Sequence, residues 1–164
     1  MIVVSDTTRL NYLILIEEVE ILHSLYDTVI IPQAVHDEMT NSLAPDAVRG
    51  WIMEPHDWIE IQQVELTGEF EHLDRGEREA IILALALQAN LILIDEKAGR
   101  VTAKEQGLAV TGTLGVLAAA ARQGLLSLKA AFDKLKQTSY RASFEMYDAL
   151  LKREQDYERS RAED

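Results

Sequence analysis

Cysteine is absent from the 164-residue chain. That excludes disulfides and thiolate metal sites, and it fits a reducing cytoplasm. Basic charge is scarce as well: 16 Lys and Arg stand against 28 Asp and Glu, for a formal net charge of −12. Such a field repels phosphate and argues against loose, charge-driven binding to nucleic acid. A local site whose metal ions supply the positive charge remains open. No basic segment opens the chain, which meets Asp6 almost at once, so a signal peptide is not expected. The longest unbroken apolar stretch, Ala80 to Leu87, is far too short to cross a bilayer. Phosphate-cradling glycine motifs, repeats and low-complexity segments are missing too. With 48% hydrophobic residues the chain has enough material for a proper core. The expectation is a soluble, cytoplasmic protein.

What is present begins with two strands that end on acids. "NLILIDE", Asn90 to Glu96, has four aliphatics without polar alternation, as a strand covered on both faces requires. "MIVVSDTT" does nearly the same, running Ile2, Val3, Val4, Ser5 and then Asp6. Further strands are expected over residues 28–31, 58–64 (alternating, so nearer a sheet edge) and 108–111. Helices are expected from Thr7 or Thr8 to just before Asp27, from Pro32, over 42–53, 76–89, 96–106, 112–123, 128–137 and 143–156, with a charged tail after that. Gly107 is read as a helix stop. Strands alternating with helices indicate an α/β fold with a mainly parallel sheet.

Ligands of such sheets bind beyond the carboxyl ends of the strands, where Asp6 and Asp95 both fall. Each also suits an N-cap. Glu38 lies on the same face as Ala34 and Val35 of its helix, a costly place for an uncoordinated carboxylate unless it reaches water at a rim. Glu77 and Glu79 open the helix over 76–89. "DRGE", Asp74 to Glu77, matches a capping box, and the apolar character of that helix leaves the choice between Glu77 and Glu79 open. Should Asp6, Glu38, Glu77 and Asp95 converge, each pair about 4 Å apart repels by roughly 1–4 kcal/mol, depending on effective dielectric. Such a cluster must hold protons or a cation. An all-oxygen donor set suits Mg²⁺ or Mn²⁺, and metal-assisted phosphodiester hydrolysis is the chemistry it fits.

"VVSDTTRL", "VIIPQAVHDEM", "LDRGEREAIILALAL", "NLILIDEKAGRVTAKEQGL" and "AVTGTLGVL" resemble, in order and spacing, the PIN-domain ribonucleases, nearest to VapC-type toxins and related PIN-like proteins. The likeness spans about residues 2–120. It implies a three-layer α/β/α sandwich with a five-stranded, mainly parallel sheet, here as a nuclease domain over 1–126 with a helical extension over 127–164. It also implies cleavage of single-stranded RNA, with Asp6, Glu38, Glu77 and Asp95 holding Mg²⁺ or Mn²⁺ around an activated water. Glu96 stands where some members carry a further acid. Thr7 and Thr111 are candidates to lend hydroxyls, a role that competes with helix capping. The resemblance implies a homodimer and, for toxins, a small antitoxin that blocks the site. The third acid is Glu rather than the commoner Asp, which keeps Glu79 in competition.

Lys97, Arg100 and Lys104 share the helix after Asp95 and are candidates to meet RNA phosphates, against the plainer reading of a solvated face. Trp51 and Trp58 suit base stacking or, more simply, packing. The four histidines have no ligand-like spacing. The expected stripe of Phe144, Tyr147, Leu150 and Leu151 needs covering by its own domain or a dimer partner. Against the nuclease stands a non-catalytic PIN-like interaction module, which has no need of four strained carboxylates. A haloacid-dehalogenase-like enzyme would want an acid two residues after Asp6, where Thr8 stands, and a receiver domain would want one beside it, where Ser5 stands.

Overall fold

The short aliphatic runs become the middle of a parallel sheet. β1 (Val3–Ser5), β2 (Val29–Pro32), β3 (Ile59–Gln62), β4 (Leu91–Leu93) and β5 (Val110–Thr111) lie in the order β3-β2-β1-β4-β5, every pair parallel. β1 and β2 are buried throughout, whereas β3 at the edge is exposed at its centre. The computed structural model describes residues 1–164, which form two units, 1–113 and 114–164.

In the first unit the strands connect through α1 (Thr7–Leu15), α2 (Ile21–Tyr26), α3 (Gln33–Thr40), α4 (Asp46–Met53), α5 (Arg75–Ala86) and α6 (Lys97–Glu105). The result is a three-layer α/β/α arrangement. Val4, Ile30 and Ile92 stand side by side in register, hence on one face of the pleat. They share a core with Ala80, Ile81, Leu83 and Ala84 of α5 and Ala103 of α6. α1 buries Leu10, Leu13 and Ile14 along one stripe.

Helix ends depart from the expected pattern in one way. The segment from Thr7 to Tyr26 is two helices, because Glu17 takes φ 62°. Glu17 N–H donates to the Ile14 carbonyl at 3.0 Å and Glu18 N–H to that of Leu13 at 2.8 Å. That pairing closes the helix in the manner usually left to glycine. Gln88, at φ 52°, ends α5 the same way, and Gly107, at φ 81°, ends α6. Only the last of these had a glycine to announce it.

The second unit holds α7 (Thr113–Arg122) from its second residue on, α8 (Leu128–Lys136) and α9 (Phe144–Glu163). Phe132 of α8 is fully buried and meets Tyr147 of α9 edge-on, ring centres 4.9 Å apart. Arg122 Nε donates to both carboxylate oxygens of Glu154 at 2.9 and 3.0 Å, with its guanidinium over the Tyr157 ring. The expected stripe is thus covered at Tyr147, while Phe144 stays exposed. The charged tail expected after Asp156 is helix to Glu163. No helix is long and apolar enough to cross a membrane.

Candidate active site

The winding of the sheet reverses at β1, whose neighbours are β2 on one side and β4 on the other, so the crevice opens beyond its carboxyl end. Ser5 lies opposite Leu93, and Asp6 N–H donates to the Leu93 carbonyl at 3.1 Å. Strand pairing therefore carries Asp6 and Asp95 to the same lip of the sheet.

Asp6 caps α1, its Oδ1 accepting from Arg9 N–H at 3.4 Å. Its Oδ2 is buried and has no partner. Burial pushes the carboxyl up to about 8; Arg9 opposes the rise, and Asp95 and Glu77 add to it. Asp95 is held from every side. Its Oδ1 accepts from Thr113 N–H at 2.8 Å, and its Oδ2 accepts from the Thr113 hydroxyl at 2.6 Å and faces Arg9 Nε at 3.5 Å.

Glu38 sits at the rim of α3, next to the buried Ala34, Val35 and Met39. Its carboxylate leans on α5: a Cβ added to Gly76 would stand 2.6 Å from Oε1. Desolvation raises the Glu38 pKa and the Asp74 charge adds to it, against the charge of Arg75; the Thr7 hydroxyl is buried without a partner. Glu77 is buried in the first turn of α5, and its N–H donates to Oδ1 of Asp74, the N-cap, at 2.9 Å. Burial raises its pKa to about 7, and the neighbouring charges that act on it, Asp74, Glu96 and Glu38, are all carboxylates. Glu79 goes elsewhere, accepting from Arg75 Nε at 2.8 Å.

Glu96 is exposed at the start of α6, close enough to act on Glu77. Lys97 and Lys104 are exposed; Arg100 is half-buried, with an unpartnered Nε. Thr111 contributes its carbonyl, which accepts from Arg9 Nη2 at 2.9 Å and from Ile94 N–H at 3.1 Å. The hydroxyl bonded to Asp95 belongs to Thr113. Both tryptophans are taken up in packing: Trp58 is buried and stacks on His23, and Trp51 stacks on His56 at 3.8 Å.

The sequence reading missed Arg9, Thr113 and Asp74 as members of this cluster. Arg9 is fully buried beside Leu10 and Leu13. A charge on the buried stripe of α1 was visible by the reasoning that singled out Glu38.

No three of these carboxylates close on one point at ligand spacing. The donor chemistry nonetheless suits a hard divalent cation. Every candidate ligand is oxygen, and a buried carboxylate oxygen without a partner calls for an ion or a water. A family model described as a PIN domain matches residues 2–156 of the chain. No curated protein and no solved structure matches it.

Proposed function

The chain belongs to the PIN-domain family, whose members are generally nucleases, and from that premise we propose that it is a metal-dependent endoribonuclease acting on single-stranded RNA. The observation that carries this reading is Asp6 Oδ2, buried without a partner at the switch point of the sheet, with Asp95 and Glu77 acting on it. Asp6, Glu38, Glu77 and Asp95 are the residues to surround Mg²⁺ or Mn²⁺, and Glu96 stands by at the mouth. When bound, the cation polarises a phosphoryl oxygen and lowers the pKa of its water. The chain's own part is to aim its carboxylates: β1 and α1 fix Asp6, the Asp74 cap fixes the backbone at Glu77, and Gly76 leaves room for the Glu38 carboxylate against α5. The acidic surroundings repel RNA until a cation neutralises them. Lys97, at the start of α6, and Arg100, one turn further, are the bases of this reading that meet the backbone of the strand.

The same reading extends to a toxin that works as a homodimer and is silenced by a small antitoxin in the site. A rival reading, the non-catalytic module, draws on the fact that Asp6 serves as a helix cap and Asp95 bonds Thr113. The deciding experiment is cleavage of a fluorogenic single-stranded RNA with Mn²⁺ and with chelator. Cleavage that needs Mn²⁺ and is lost in Asp6→Asn and Asp95→Asn supports the nuclease. Cleavage by Asp6→Asn at the wild-type rate defeats it.

A further inference from the structure

A cleft of about 330 Å³ opens between α1 and the turn that joins α3 to α4. Thr7 and Asn11, one helical turn apart, line it from α1, and Leu43, Ala44 and Pro45 line it from the turn. Glu38 borders it as well, so the cleft adjoins the candidate active site. Its volume lies at the lower end for small-molecule pockets, about 300–1,000 Å³, which suits one ring system rather than a long chain. Two oxygens of α1 ask for a partner: Thr7 Oγ1 and Asn11 Oδ1 are both buried without one. No bond fixes the Asn11 oxygen, so its half-buried amide is free to turn over and offer either an acceptor or a donor. The turn, by contrast, is held firmly. Asn41 Oδ1 accepts from Leu43 N–H at 2.9 Å, and the Asn41 carbonyl accepts from Ala44 N–H at 3.0 Å. Leu43 is thereby kept 93% exposed, an aliphatic shelf beside the cleft. Glu38 is the only ionisable side chain of the lining. A phosphate would find no cation in the cleft itself and one carboxylate to repel it.

We propose that this cleft holds one unpaired nucleoside of the RNA, its base lying on the shelf of Leu43 and Pro45 with its edge against the Asn11 amide. This rests on the ribonuclease reading above and names the part of the substrate that this side of the site takes. A base is the flat, neutral part of a nucleotide, so it tolerates an uncharged cleft beside a carboxylate where phosphate does not. Base and sugar together bring the N–H and O–H donors that the two buried oxygens lack. Only an unpaired base has its Watson–Crick edge free to give them, so the cleft selects single strands. Every base has a flat face for Leu43, and an amide that turns over answers donor and acceptor edges alike. The site therefore accepts more than one base.

The test is NMR of the backbone amides of the full chain, titrated in chelator with adenosine, which carries no phosphate and needs no metal. Adenosine should shift the amides of Asn11, Leu43 and Ala44, and inorganic phosphate should leave them in place. Leu43→Ala, at an exposed position that the fold does not need, should weaken adenosine binding by about threefold or more. Asn11→Ala should weaken it by about fivefold. With RNA and Mn²⁺ the same variants should raise KM more than they lower kcat. No shift at these amides, or Leu43→Ala binding adenosine as well as wild type, overturns the proposal. Adenosine seated in the cleft of a chain that cleaves no RNA defeats the nuclease and leaves the nucleoside site standing. RNA cleavage by a chain whose cleft adenosine does not touch does the reverse.

Discussion

Arg75 Nε donates to Glu79 Oε2 at 2.8 Å across one turn of α5, while Asp37 lies 3.6 Å from the same guanidinium. The contact withdraws Glu79 from the carboxylate cluster and leaves Glu77, two residues earlier, facing Asp6. Glu77→Gln should therefore lower RNA cleavage by about 100-fold or more, the scale of a few kcal/mol of lost charge stabilisation. Glu79→Gln should keep cleavage within about threefold and lower the melting temperature by about 2–4 °C, as a partly exposed ion pair of modest worth does. Steady-state kinetics beside thermal melts read both. Equal activity losses would contradict the assignment.

Gly76 offers a variant that moves one carboxylate and little else. A methyl group there would stand 2.6 Å from Glu38 Oε1, so the carboxylate must swing away. The backbone gains the helical preference of alanine, worth about 0.5–1 kcal/mol. Gly76→Ala should cut cleavage by about tenfold or more while holding or raising the melting temperature. A fully active Gly76→Ala would remove Glu38 from the site.

Proton linkage gives a third check. Asp6 and Glu77 have folded pKa values of about 8 and about 7, above the ordinary carboxylate range because of burial, and Glu38 is raised as well. A raised folded pKa means the folded state binds the proton more tightly. The contribution is whole below the unfolded value and disappears as pH climbs through the folded one. In chelator, wild type should accordingly lose stability relative to Asp6→Asn between about pH 4 and pH 8. Added Mn²⁺ should raise the wild-type melting temperature more at about pH 8 than at about pH 5.5, because the ion competes with protons for the same oxygens. Melting curves across that range decide it; a wild type that gains on Asp6→Asn with rising pH contradicts the burial argument.

In the second unit, Phe132 is fully buried and edge-on to Tyr147. Phe132→Ala should cost about 3–5 kcal/mol of the stability of that unit, read as an earlier urea transition. A change below about 1 kcal/mol would mean that α8 and α9 hold together by other contacts.

The sheet was legible because its central strands are pure aliphatic runs that break on Ser5-Asp6 and Asp95-Glu96, a pattern set by burial on both faces. The edge position of β3 showed in its alternation. Asp6, Glu38, Glu77 and Asp95 were legible as candidates from strand ends, a helix face and a capping box. The break at Glu17 was not, because the apolar step of Leu10, Leu13, Ile14 and Ile21 runs straight through it and no glycine or proline marks it. Arg9 stayed hidden because what accommodates it, Thr111, Thr113 and Asp95, lies about a hundred residues away. The pairing of Glu79 with Arg75 was also open to the sequence, in the four-residue spacing between them.

Ile2 N–H donates to Asn90 Oδ1 at 2.7 Å across 88 positions, the same span by which β1 waits for β4. Contacts this far apart close late, since the intervening loop must be ordered first. During synthesis the opening residues emerge early and stand without their central neighbour until more than half the polypeptide has been made. An unfinished chain on the ribosome therefore carries Asp6 and Glu38 without Glu77 and Asp95, and the carboxylate cluster cannot assemble until synthesis has passed the middle of the polypeptide.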